Sequence, residues 1–141
     1  MTRAHIYLLD TNVISHVMRN PTGLVAQRIF GREEHEGSSG VCTSLIVQCE
    51  LLFGLHKLSN PKWKRQYHRA MASITVEPLG QEVVAHYATV RAYLEAQGQP
   101  IGPNDTLIAA HALALGATLV TADAEFTRVP GLQVENWLQP L

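Results

Sequence analysis

Cysteine pairs, long apolar runs and a metal-binding histidine pattern are all lacking in this sequence. The two cysteines, Cys42 and Cys49, form neither a C-x-x-C pair nor a Cys/His zinc spacing, so we expect buried, reduced thiols. The seven histidines show no H-x-x-x-H or H-E-x-x-H pattern, which argues against a histidine-ligated metal. No apolar run reaches the ~18 residues of a membrane span, and no signal peptide is recognisable. We therefore expect a soluble, cytoplasmic protein with no membrane partner.

The sequence also has no excess of either charge: it contains 11 lysines and arginines and 12 aspartates and glutamates, for a net charge of −1. This balance excludes nucleic-acid binding through gross positive charge, but it leaves room for a local basic patch. With 141 residues, 46% of them hydrophobic, the chain has the length and composition of one folded domain. We predict a single domain over residues 1–141.

Short apolar segments alternate with segments of helical periodicity along the chain. This alternation predicts an α/β fold, a three-layer α/β/α sandwich around a mainly parallel sheet. The predicted strands cover residues 5–9, 41–43, 74–78, 118–121 and 132–134. The predicted helices cover residues 11–18, from about 22, 45–58 after the N-cap Ser44, from Asn60-Pro61 onward, 81–97 and 106–115. Residues 32–40 are polar and rich in glycine and serine, which predicts a loop.

Only three aspartates occur, and each lies at the end of a strand or the start of a helix. Asp10 ends the first strand, Asp123 follows the strand at 118–121, and Asp105 opens the Ala-rich helix after a Gly-Pro-Asn turn. Ligands of open α/β sheets bind beyond the carboxyl ends of the strands, so Asp10 and Asp123 should face the same crevice. Taken one at a time, each aspartate could also simply be a helix N-cap.

Glu50 is an acid inside a strongly apolar helix. Its neighbours one turn away include Ile46, Val47 and Phe53, so the spacing aims the carboxylate at the interior, where an unpaired charge is disfavoured. Such a side chain needs a cation, a proton or several hydrogen-bond donors. Gly54, one turn further on, would let the helix approach another element or a substrate closely.

Four separate acids thus become candidates for one site: Asp10, Glu50, Asp105 and Asp123. Four like charges in one pocket repel unless a divalent ion neutralises them, and carboxylates without Cys or His ligands suit Mg²⁺ or Mn²⁺. Water held by Mg²⁺ can attack a phosphodiester, so the set predicts metal-dependent hydrolysis of a phosphate backbone. Asn12 and Thr121 lie beside these acids and are candidates for orienting the substrate or a coordinated water.

Four motifs in this order resemble the PIN-domain ribonucleases, and more narrowly the VapC toxins of bacterial toxin–antitoxin pairs. They are Leu8-Leu9-Asp10-Thr11-Asn12, Glu50-Leu51-Leu52-Phe53-Gly54, the segment from Ile101 through Asp105 to His111, and the segment from Leu119 through Asp123 to Phe126. The resemblance covers essentially the whole chain, and all four acidic positions are occupied.

The resemblance implies a compact α/β/α sandwich in which Asp10, Glu50, Asp105 and Asp123 are the catalytic residues and surround Mg²⁺ or Mn²⁺. It also implies an endoribonuclease that cleaves cellular RNA to inhibit translation. A cognate antitoxin would silence the enzyme, typically by placing a basic residue of its C-terminal segment in the acidic cleft. Members commonly form homodimers, so an apolar self-association face is expected.

A basic segment, free of acids, supplies candidates for holding RNA. They are Lys57, Lys62, Lys64, Arg65 and Arg69, with Trp63, Tyr67 and His68 interleaved. Cations for phosphates and aromatic faces for unpaired bases are what single-stranded RNA binding requires. The alternative is a solvated helix face with Trp63 and Tyr67 turned into the core.

Two other function classes compete with the nuclease hypothesis. A phosphotransfer or receiver-like domain fits poorly, because the Asp-Thr-Asn motif lacks a second acid and no late lysine exists. A catalytically silent module whose acidic cleft grips a basic partner peptide is the non-enzymatic alternative. Glu125, two residues from Asp123, ranks below the four acids and could assist a metal through water.

Overall fold

The structure, a computed structural model, describes residues 5–36 and 40–139, with residues 32–36 as backbone alone. A five-stranded parallel sheet runs through its centre in the order β3-β2-β1-β4-β5. The strands are β1 (Tyr7–Leu9), β2 (Val41–Ser44), β3 (Thr75–Glu77), β4 (Thr118–Val120) and β5 (Val134–Glu135). In the central strand β1, Leu8 and Leu9 point to opposite faces and are both 0% exposed, so both faces of the sheet are covered. The predicted three-layer architecture is therefore confirmed.

Six helices flank the sheet in the described part of the chain. They are α1 (Thr11–Arg19), α2 (Leu24–Glu36), α3 (Leu45–Leu58), α4 (Pro61–Met71), α5 (Glu82–Ala96) and α6 (Pro103–Leu115), with a 3₁₀ turn at Ala124–Arg128. The predicted start of α3 is confirmed, since the Ser44 side chain accepts a hydrogen bond from the Ile46 amide at 3.1 Å. Gly116 ends α6 as predicted, with a φ of 66° that a side chain would disfavour. None of the described helices combines the length and apolarity needed to cross a membrane.

Three predicted boundaries are wrong. Helix α2 continues to Glu36, so residues 32–36 are helical rather than a loop, and residues 37–39 of the predicted loop lie outside the described residues. Helix α6 begins at Pro103 instead of residue 106, because proline needs no donor in the first turn of a helix. The last strand is Val134–Glu135 rather than 132–134, since its register is set by pairing with β4.

The expectation of two buried thiols holds for one cysteine only. Cys42 is buried in β2, and burial raises the pKa of its thiol to about 12. Cys49 is exposed, because its position on α3 faces away from the sheet.

Candidate active site

The strand β1 delivers Asp10 to the carboxyl edge of the sheet, where the residue is 4% exposed. Its Oδ1 accepts from the Thr11 amide at 2.8 Å, so Asp10 does cap α1. Its Oδ2 accepts from the Thr121 hydroxyl at 2.8 Å and the Asn12 amide at 3.3 Å. Burial nevertheless raises the pKa of Asp10, against the lowering effect of these donors. Asp10 therefore caps α1 through Oδ1 and is linked to the end of β4 through Oδ2, so the cap does not argue against a place in the site.

Asn12 and Thr121 tie the ends of β1 and β4 together around this carboxylate. The Asn12 amide nitrogen also donates to Thr121 Oγ1 at 3.2 Å, and Asn12 Oδ1 accepts from the Ala122 amide at 3.0 Å. Thr121 Oγ1 accepts from the Asp123 amide at 3.1 Å. The two predicted helper residues therefore hold the carboxylate of Asp10 and the backbone that carries Asp123.

Glu50 reaches the same edge from the first half of α3. Its Oε1 accepts from the Thr11 hydroxyl at 3.0 Å. Burial raises the pKa of Glu50, the Thr11 bond opposes this effect, and the charge of Asp10 adds to it. The expectation of a fully interior side chain is wrong, because Glu50 is only half-buried at the rim of the sheet.

Asp105 lies in the first turn of α6 and provides the clearest sign that the acids converge. Burial, followed by the charges of Asp10, Glu50, Asp123 and Glu125, raises the pKa of Asp105 to about 6. Burial alone would raise this pKa, but the contributions of four acidic charges show that Asp10, Glu50, Asp123 and Glu125 lie near Asp105. The structure thus brings together all four acids that the sequence singled out.

Glu125, which the sequence analysis ranks below the four acids, lies in the same cluster. Carboxylate oxygens of Asp105, Asp123 and Glu125 lie within 4.8 Å of one another and could hold a metal ion. The 3₁₀ turn brings Glu125 back, since its amide donates to Asp123 Oδ1 at 2.9 Å. In the sequence, only the two-residue spacing from Asp123 pointed to Glu125. That spacing brings two carboxylates together only where the chain makes a tight turn directly after Asp123.

The cluster has no internal cation to balance it. Among the described residues, the ion pairs are Arg28 with Glu135 and Arg91 with Glu95, and neither touches the five acids. An all-oxygen, multiply negative donor set suits a hard divalent ion. The residues present therefore fit a metal of the Mg²⁺ or Mn²⁺ type.

The five predicted RNA-binding cations are all exposed; Lys57 lies on α3 and the other four on α4. Lys64 lines a cleft of about 430 Å³ between α3 and α4, together with Leu52, His56 and His68. Arg69, on the other flank of α4, lines a separate cavity of about 160 Å³ against α1. At least Lys64 and Arg69 therefore lie on different sides of α4.

The aromatic residues of the basic segment divide in the same way. Tyr67 is 4% exposed and its hydroxyl accepts from Gln48 at 3.1 Å, so the alternative interpretation, in which it packs in the core, is right. Trp63 is 36% exposed and keeps part of its ring accessible. The interior of α4 takes Tyr67 because that residue shares a helical face with the buried Ala70.

A model of the PIN domain family matches residues 7–132. The chain belongs to the PIN-domain family. Ribonuclease VapC1 of Haemophilus influenzae strain R2866 is 33% identical over 94% of this chain and 98% of that protein. The tRNA(fMet)-specific endonuclease VapC of Shigella flexneri is 32% identical over 93% and 97%. These relatives confirm the predicted assignment of this PIN-domain chain to the VapC ribonucleases.

Solved PIN-domain structures agree with the fold. VapBC2 from Rickettsia felis, bound to a DNA fragment from its promoter, gives a TM-score of 0.84 at 31% identity, covering 94% of this chain and 98% of that one. DNA-bound VapBC from Salmonella typhimurium gives a TM-score of 0.78 at 29% identity, covering 95% and 99%.

Proposed function

We propose that this chain is the toxin of a toxin–antitoxin pair, an Mg²⁺- or Mn²⁺-dependent endoribonuclease that cleaves cellular RNA and so inhibits translation. The observation that carries the proposal is the convergence of carboxylates: oxygens of Asp105, Asp123 and Glu125 lie within 4.8 Å of one another, and the charges of Asp10 and Glu50 act on Asp105 as well. The names of the VapC ribonuclease relatives support the same reaction class. A structural core alone would have no reason to collect five acids at one edge of its sheet.

The metal would be held by the carboxylates at the carboxyl edge of the sheet. Asp105, Asp123 and Glu125 supply the tightest group of oxygens, and Asp10 and Glu50 complete the site. When bound, the ion supplies the activation of water and the stabilisation of negative charge developing on the phosphate. The choice of Mg²⁺ or Mn²⁺ rests on the oxygen donor set.

The residues around these acids position them. Thr11 connects the two sides of the site, because its amide holds Asp10 and its hydroxyl holds Glu50. The Thr11 bond engages Oε1 of Glu50, and no hydrogen bond among the described residues engages Oε2, which would be available to bind the ion or to accept a proton from water. Asn12 and Thr121 hold the buried Asp10 carboxylate in one orientation through their hydrogen bonds.

The basic residues of α3 and α4 would hold the RNA outside the acidic centre, which repels phosphate. These residues are Lys57, Lys62, Lys64, Arg65 and Arg69. The described ion pairs involve none of them, so their charges are free to contact phosphates. Lys64 and Arg69 lie on different flanks of α4, which allows RNA to cross only part of the set at a time.

The antitoxin would silence the enzyme at the same acids. The VapBC complexes among the structural relatives support such a partner. A guanidinium from an antitoxin segment can pair bidentately with the carboxylates and displace the ion. A homodimer, common in the family that this chain resembles, remains a prediction.

The test is a cleavage assay on total RNA with Mg²⁺ or Mn²⁺, comparing wild type with Asp105→Asn. We expect the variant to lose at least about a hundredfold in rate, and EDTA to abolish cleavage by the wild type. Glu82→Gln is the matched control, because it removes an exposed acid at the start of α5 and should cleave normally. Cleavage that persists in EDTA, or equal loss in the control, contradicts the proposal.

The same assay distinguishes the proposed ribonuclease from the non-enzymatic alternative, a catalytically silent binding module. A binding module would show no metal-dependent cleavage under any condition, yet its acidic cleft would bind an Arg-rich peptide. Cleavage that is lost with Asp105→Asn rejects the silent-module hypothesis.

A further inference from the structure

Phe53 is a large aromatic side chain left 69% exposed on α3. A lone exposed apolar residue is common and carries no meaning by itself. Phe53 differs because it follows Glu50 by three residues within one helix, and residues at this spacing share a helical face. The ring therefore lies on the side of α3 that faces the acidic site.

The helical surface beyond Phe53 stays open and ends in a cation. At Gly54 an added Cβ would have no described atom within 4 Å, so no described element packs closely there, and the position is open to the approach of a substrate. Lys57 is exposed and follows Glu50 by seven residues, which returns it to the same face about 10 Å along the axis. We call Glu50, Phe53, Gly54 and Lys57 the α3 ridge.

We propose that an unpaired base of the RNA stacks on Phe53 while the next phosphate along the strand contacts Lys57. The inference rests on the proposed ribonuclease function and adds to it a base-binding residue on α3. Every base has a π-face that an aromatic ring can bind, whereas bases in an RNA duplex are stacked inside the helix. Gly54 leaves room for the sugar–phosphate backbone between the ring and the lysine.

The order of charges along the α3 ridge favours nucleic acid over a protein partner. One end lies at the acidic site, where a phosphate would be cleaved, and the other end carries Lys57, which forms no ion pair with another described residue. Leu58, 54% exposed, is a second apolar side chain near this face, but it follows Lys57, so the order from the acids is ring, glycine, cation and then leucine. The repeating pattern of base and phosphate in a single strand matches this alternation.

The first experiment measures the affinity for a fluorescent oligouridylate of about a dozen nucleotides by anisotropy, in EDTA so that no cleavage occurs. Phe53→Ala should weaken binding by roughly 5- to 100-fold, because one stacked base is lost. Phe53→Tyr should stay within about threefold of wild type and Phe53→Leu should not, since leucine is apolar but cannot stack. Leu24→Ala, which truncates an 83% exposed side chain on α2, is the control and should bind like wild type.

The second experiment compares Lys57→Gln with Arg19→Gln in the same assay across a range of salt. Both variants remove one positive charge from an exposed position, but Arg19 is the last residue of α1, at the end of that helix away from Asp10, and is not among the RNA-binding candidates. Lys57→Gln should reduce the slope of log K against log salt by about 0.7, the value for one single-strand phosphate contact. Arg19→Gln should leave that slope unchanged.

Several results would overturn the inference. Unchanged affinity in Phe53→Ala, full affinity in Phe53→Leu, or equally strong binding of a duplex of the same length would exclude stacking on Phe53. Equal salt slopes for the two charge variants would mean that the overall electrostatic field of the protein, and not a phosphate contact at Lys57, causes the salt dependence. A change in oligomeric state of Phe53→Ala with unaltered RNA affinity would show that a second copy covers the ring. If the proposed ribonuclease function itself were wrong, the wild-type protein would not cleave RNA with metal present, and this result is distinct from a failure of stacking on Phe53.

Discussion

Asp10 and Asp105 are two aspartates of one site with opposite surroundings. Asp10 is buried and accepts hydrogen bonds from Thr11, Asn12 and Thr121. Asp105 is half-buried, and among the described residues none donates a hydrogen bond to its side chain, while burial and then four acidic charges raise its pKa to about 6. The Asp10 carboxylate is held by neutral hydrogen-bond donors, whereas the Asp105 carboxylate has no donor among the described residues and needs a cation or a proton to neutralise it.

The difference shows how the site can be both ordered and ready for a cation. Neutral donors orient Asp10 without cancelling its charge, so it keeps its affinity for a metal. Charge repulsion at Asp105 remains in the folded protein because no lysine or arginine of a described ion pair reaches it. The repulsion should be relieved by a divalent ion or by neutralising Asp105, and the following predictions test this.

The largest expected effect is stabilisation by metal. At about 100 times its dissociation constant, Mn²⁺ should stabilise the folded protein by about 2.7 kcal/mol and raise Tm by about 5 to 10 °C. Differential scanning fluorimetry with and without EDTA measures the shift. Asp105→Asn should lose most of it, whereas Glu82→Gln should retain it; a full shift in Asp105→Asn would place the ion elsewhere.

Loss of a donor to Asp10 should have the next largest effect. Thr121→Val preserves the shape of the side chain but removes the hydroxyl that Asp10 and the Asp123 amide both use. The free energy of unfolding should fall by about 1 to 3 kcal/mol, since a buried carboxylate loses a partner. Metal affinity should drop by roughly 10- to 100-fold.

Denaturant unfolding and metal titration measure the two changes separately. Thr127→Val is the control, because Thr127 is exposed and its hydroxyl bonds only the Ala124 carbonyl among the described residues. Equal destabilisation of both variants would mean that the Asp10 network adds nothing beyond an ordinary threonine contact.

The smallest effect is a pH-dependent gain in stability when Asp105 is neutralised in metal-free protein. The folded pKa of Asp105 is about 6 against an ordinary value of 3.8, so the folded state holds the proton more tightly than the unfolded state. Stability contributed by this group is therefore greatest below about pH 4 and falls as pH rises towards about 6.

Asp105→Asn should accordingly raise Tm at about pH 7 by roughly 2 to 4 °C, for a gain of about 1 kcal/mol or less after solvent screening. The gain should vanish at about pH 3, where Asp105 is mostly protonated in both the folded and the unfolded state. Thermal melts in EDTA at the two pH values measure it. A lower Tm for Asp105→Asn than for wild type at neutral pH would contradict charge repulsion at Asp105.

Much of the site could be predicted from the sequence because its four acids lie within short, recognisable motifs. Asp10 and Asp123 follow apolar strands, and parallel strands end at one edge, so their proximity follows from the fold class. Glu50 stood out as a charge within an apolar helix. Its side chain is nevertheless only half-buried, since helical periodicity gives a direction but not the distance to the neighbouring element.

Other features could not be predicted from spacing. Glu125 joins the cluster because a 3₁₀ turn folds it back on Asp123. Lys64 and Arg69 looked like parts of one basic surface, yet packing of Tyr67 into the core places them on opposite flanks of α4. These outcomes depend on how a helix is rotated against its neighbours, which the local pattern leaves undetermined.

Composition and motif order by themselves determined the α/β class, the family and the choice of the four acids, because these follow from local periodicity and residue chemistry. Only the tertiary structure decided which carboxylates are satisfied and which are strained, that Glu125 joins them, and that Phe53 stays open beside them. Burial and through-space charge depend on atoms far apart in the chain, so those properties exist only once the strands and helices have packed.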